Sequence, residues 1–76
     1  MNNPLANNLY EAAVKYKQSL GELSISPVYQ QDFEDLTSIA NMIENNEDAK
    51  AIQKAMWDLD TAVRDVIPNK VYYTYN

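Results

Sequence analysis

The amino-acid sequence predicts an all-α protein: a small antiparallel three-helix bundle over about residues 4–20, 27–45 and 47–67, followed by an aromatic C-terminal tail. Three observations carry that expectation. Apolar residues recur every three to four positions through three segments, helix-starting residues open each segment, and a glycine, an asparagine pair and a proline close them. With 76 residues, 46% of them apolar, the chain is expected to form one domain, 1–76, near the size below which a core alone rarely sustains folding. Burial against a second chain is therefore expected to supplement the core.

The first helix opens with Asn3 as N-cap and Pro4 at the first helical position, where a missing N–H costs nothing. Its apolar stripe is Leu5, Leu9, Ala12, Ala13, Tyr16 and Leu20, and Gly21, the single glycine, stands where a positive φ would end it. Glu22 to Ser26 reads as a connector, with Leu23 and Ile25 expected to tuck against the bundle. Ser26-Pro27 repeats the start signal, a capping hydroxyl before a proline, and opens a stripe of Tyr29, Phe33, Leu36, Ile39, Ala40 and Ile43. Asn45-Asn46 then breaks the pattern, because asparagine tolerates the left-handed conformation.

The third helix carries the longest stripe, Ile52, Ala55, Met56, Leu59, Ala62, Val63 and Val66, until Pro68 stops it. Glu47 and Asp48 suit the positive end of its dipole. The tail from Asn69 to Asn76 has strand-like aromatics and no partner strand, so it is expected to pack on the bundle or on another chain. Connectors of two to six residues make neighbouring helices antiparallel.

Charge is uneven. The net charge of -5 resolves into +1 over residues 1–21, -7 over 22–48 and +1 over 49–76. The middle third holds Glu22, Asp32, Glu34, Asp35, Glu44, Glu47 and Asp48 without one basic residue. Asp32, Glu34, Asp35 and Glu44 are the candidate acidic surface. The bland account is a solvated face; the sharper one is a docking surface for a basic protein, or carboxylates standing in for the phosphates of a nucleic acid. Direct nucleic-acid binding is disfavoured by the same field. Asp32 falls on the apolar side of its helix, where it is expected to meet Lys15, Lys17 or a helix N-terminus.

A second stripe on the third helix, Lys50, Lys54, Trp57, Thr61 and Arg64, lies about 180° from the core stripe at 100° per residue. It places the sole tryptophan outward among cations, with Lys54 or Arg64 able to lie over the indole. Tryptophan and arginine are enriched at interface hot spots. Trp57, Lys54, Thr61 and Arg64, with Tyr72, Tyr73 and Tyr75 of the tail, are accordingly the candidate interaction residues; the alternative is a tail that folds back over Trp57 within one chain. Tyr10 with Val14, and Val28 with Met42, are smaller off-stripe apolar pairs.

The absence of cysteine and histidine excludes zinc, haem and iron–sulfur ligation by those residues, cysteine nucleophiles and Ser-His relays. Size, acidity and helical content are similar to acyl carrier proteins, but their prosthetic-group serine stands in Asp-Ser-Leu at a helix start, whereas Asp35-Leu36-Thr37-Ser38 lies inside a helix. Glu44-Asn45-Asn46-Glu47 resembles the first acidic motif of MazG-type pyrophosphohydrolases in spacing, yet no second pair follows. Asp58-Leu59-Asp60 lacks the glycine and the later acid of a calcium loop.

No cofactor, metal or catalytic residue is predicted, and no membrane span or leader, so a cytoplasmic setting is expected. The function expected is a non-enzymatic interaction module forming a homodimer or higher homo-oligomer; the alternative is an acidic inhibitor or nucleic-acid mimic that blocks a basic site on a partner protein. A site assembled between subunits from Asp32, Asp35 and Glu44 to hold a metal is a third class.

Overall fold

A computed structural model describes residues 3–75; the Met1-Asn2 start and the terminal Asn76 of the predicted tail lie outside them. The order is α1 (Pro4–Leu20), a 3-10 turn (Gly21–Ile25), α2 (Pro27–Glu44), α3 (Ala49–Trp57), α4 (Thr61–Arg64) and α5 (Asn69–Tyr75), with no strand among the described residues. The all-α class holds, but the count of three helices does not, because the expected third helix is broken and the tail is itself helical.

α1 starts as its sequence dictates. The Asn3 side chain accepts hydrogen bonds from the backbone N–H groups of Leu5 and Ala6 at 2.9 and 3.4 Å, and Pro4 follows. Gly21 closes it at φ 55°, a conformation a Cβ would strain. Ser26 stands at the N-cap of α2 with extended backbone, but its hydroxyl makes no capping bond, contrary to the reading of Ser26-Pro27. Only its carbonyl serves, accepting from the N–H of Gln30 at 3.0 Å. Leu23 and Ile25 do not tuck in: they are 59% and 81% exposed, because the tight 3-10 turn leaves them at the end of the molecule.

α1 and α2 run antiparallel, so residues early in one meet residues late in the other. Tyr10 donates its hydroxyl to Asn41 and lies 3.5 Å from Glu44, whereas Tyr16 reaches Asp32. Between them Ala6, Leu9, Ala13, Leu36, Ala40 and Ile43 are fully or almost fully buried. α2 ends at Asn45, and Asn46 takes the positive φ, 54°, that lets the chain turn. α3 begins at Ala49 rather than Glu47, with Asp48 as its cap accepting from the N–H of Lys50 at 3.2 Å.

The break falls at Asp58-Leu59-Asp60. An aspartate has low helix propensity, and Asp58 sits at the negative end of the α3 dipole whereas Asp60, at the N-cap of α4, sits at a positive end. The sequence period alone does not reveal this, since Ile52, Met56, Leu59 and Val63 are buried on both sides of the break. Ala62 is exposed, contrary to its expected place in the stripe. Pro68 ends one element and starts another: its carbonyl accepts from the N–H groups of Val71 and Tyr72 at 2.9 and 3.0 Å, opening α5. Ile67 and Val71 complete the core, which α3 and α5 close from one side against the α1–α2 pair.

Candidate functional site

Two surfaces gather the residues singled out by the sequence. The first is aromatic. The Arg64 guanidinium lies over the Trp57 indole, 5.0 Å from the ring centroid, and Tyr72 meets the indole edge-on at 6.2 Å. Tyr73 meets Tyr72 edge-on at 5.6 Å. Arg64 is held by a bond to Thr61 Oγ1 at 3.2 Å, and its Nε is buried without a hydrogen-bond partner among the described residues. The tail therefore folds back on Trp57 without burying it: Trp57 remains 51% exposed and Tyr73 71%.

The continuous stripe expected from Lys50 to Arg64 does not exist as one helical face, because the break separates Lys50, Lys54 and Trp57 on α3 from Thr61 and Arg64 on α4. Trp57, Thr61, Arg64, Tyr72 and Tyr73 nevertheless meet. Lys54 is drawn aside into an ion pair with Asp58 at 3.0 Å, both side chains being mostly exposed. Tyr75 packs against the core instead of joining the aromatic face.

The second surface is acidic. Asp32 forms no ion pair with Lys15 or Lys17; it accepts the Tyr16 hydroxyl at 3.1 Å, which explains how a half-buried carboxylate is tolerated on the apolar side of α2. Lys17 instead lies over the Phe33 ring at 4.9 Å. Burial, reinforced by the Asp32 carboxylate, pushes the Tyr16 phenol up to about 12. Tyr10 is also raised, by desolvation first and the nearby Glu44 second. Asp35 accepts from Gln31 Nε2 at 2.9 Å.

The four acids predicted on α2 do not form one patch. Glu34 is exposed to solvent, Glu44 stands beside Tyr10, and Asp32 and Asp35 line a hollow together with Asp58 and Asp60 from the α3–α4 break. Sequence reasoning missed Asp58 and Asp60 because their own segment is nearly neutral. No group of three carboxylates is placed to hold a metal ion among the described residues. No helix of the described residues is long and apolar enough to cross a membrane. No protein-family model, curated protein or solved structure matches the chain.

Proposed function

We propose that the protein is a cytoplasmic, non-enzymatic helical interaction module that self-associates through the aromatic face of its C-terminal half. The observation that carries this reading is the state of Trp57: its ring is fixed by Arg64 and Tyr72, yet 51% of the residue is exposed. A rigid, half-exposed indole loses little side-chain freedom on association, and burying it recovers about 2 kcal/mol. Tyr73, exposed beside it, enlarges the apolar area, and Arg64 adds the charged neighbour common at hot spots.

Light scattering on the native protein and on Trp57→Ala, with thermal unfolding in parallel, tests the reading. The expected result is a native dimer or higher oligomer that becomes a folded monomer. A chain that is monomeric before and after the change, with only its melting temperature lowered, rejects self-association through this face. A second reading, an acidic inhibitor that blocks a basic site on a partner, draws support from the convergence of Asp32, Asp35, Asp58 and Asp60 on one hollow.

A further inference from the structure

Beside α2, two hollows merge. The first, of about 340 Å³, is lined by Val28, Asp32, Asp35, Asp58, Leu59 and Asp60. The second, of about 240 Å³, shares Asp35, Asp58 and Leu59 with it and continues to Ile39, Met42 and Ala55. Three shared residues make them one furrow between α2 and α3. From Val28 to Met42 it is about 21 Å long at 1.5 Å of helical rise per residue. Half-buried Met42 and Ala55 line it between the buried Ile39 and Leu59, and Val28 at one end is 63% exposed.

The charged side chains that line this furrow are all acidic. Four aspartates line it and neither hollow is lined by a lysine or an arginine. Lys54, paired with Asp58, offsets one of the four at the rim. Asp32 and Asp35 each accept one bond, from Tyr16 and Gln31, which leaves further lone pairs for a donor. An apolar floor with carboxylate walls is complementary to a cationic helix with one apolar face, and its length matches about fourteen helical residues.

A second copy of the chain offers no free amphipathic helix of that length, since α1, α2 and α3 each bury their apolar stripe in the core and α4 and α5 span only four and seven residues. We propose that the furrow docks a basic amphipathic helix of another protein, its apolar side on Val28 and Met42 and its lysines and arginines on Asp32, Asp35 and Asp60. The proposal rests on the acidic reading of the surface and is independent of self-association through Trp57.

The test uses a dye-labelled peptide of about fourteen leucines and lysines patterned as an amphipathic helix, with a scrambled peptide of the same composition as control. Saturable binding to the native protein is expected, weakening with salt and falling about tenfold in Asp35→Asn/Asp60→Asn. Val28→Ser, a change at an exposed position, is expected to weaken binding as well. Backbone amide shifts in the labelled protein should trace residues 28–42 and 55–60. Trp57→Ala should leave the peptide affinity within about twofold, since the indole lies outside the furrow.

Four results overturn the proposal: equal binding of the scrambled peptide, shifts centred on Trp57 and Tyr73, affinity unchanged in both furrow variants, or no saturable binding at all. Shifts in the furrow that grow with protein concentration in the absence of peptide would assign it to a second copy, and overturn it too.

Discussion

The N-terminal half is built from two long helices, α1 and α2, of 17 and 18 residues, and the C-terminal half from three short ones of 9, 4 and 7. In the first half most of the core consists of aliphatic side chains between two continuous surfaces, and polar bonds such as Tyr16 to Asp32 lie along the seam. In the second half one or two buried side chains hold each short helix, Ile52 and Met56 in α3, Val63 in α4 and Val71 in α5, and aromatic rings lie on the outside. Helices this short are not stable alone and owe their structure to packing. The contrast separates the two halves: the first brings two long continuous helical surfaces to the core, whereas the second brings separate buried anchors on short elements and places aromatic side chains at the surface.

The largest expected effect tests that division directly. Leu36→Ala, in the middle of α2 and fully buried, should cost about 3 kcal/mol and lower the stability of every element. Val71→Ala should cost about 1.5 kcal/mol. Amide exchange should then accelerate first in α4 and α5. Equal acceleration in α1 and α2 would show that the two halves open as one unit and remove the distinction.

Next in size is the seam between α1 and α2. Tyr16, raised to about 12, stays protonated in the folded protein at pH values where an unfolded tyrosine, at 10.0, has lost its proton. Its contribution is therefore complete below pH 10 and declines as pH rises from 10 toward 12. Tyr16→Phe should cost about 1 kcal/mol near neutral pH and remove that share of the alkaline loss. Denaturant midpoints of both proteins at pH 7, 10 and 11.5 measure it; parallel curves would show that the phenol does not bear on alkaline stability.

The smallest effect concerns the break. Replacing Asp58 and Asp60 with alanine improves helix propensity by about 1 kcal/mol in all. Straightening the chain there would draw α5 from the core and expose Ile67 and Val71, at about 1.5 to 3 kcal/mol each. Packing wins, so Asp58→Ala/Asp60→Ala should change stability by less than about 1 kcal/mol and leave the helical circular dichroism unaltered. A clear rise in helical signal would mean that local propensity alone makes the break.

Much of the fold was legible because its signals are local. Asn3 and Pro4 start α1, Gly21 and Asn46 take positive φ, and the stripes of α1 and α2 match the buried residues closely. The C-terminal half was less legible for a physical reason. A helical period survives a short break when both sides still face the core, as Met56 and Val63 do, and aromatic residues without a partner strand accept a helix if one residue, Val71, can be buried. The same holds for the surfaces. Arg64 over Trp57 follows from spacing within one segment, whereas the furrow joins Asp32 and Asp35 to Asp58 and Asp60, more than twenty positions away, and charge summed by segment conceals the pairing.

The position of the single tryptophan gives the molecule an internal reporter. Indole emission comes only from Trp57, in contact with Arg64 and Tyr72, so fluorescence follows the local order of the C-terminal half. Far-ultraviolet ellipticity is weighted toward α1 and α2, which hold most of the helical residues. Two optical signals from one unlabelled sample thus read the two halves separately, and the gap between their melting curves measures how far the protein departs from all-or-none unfolding.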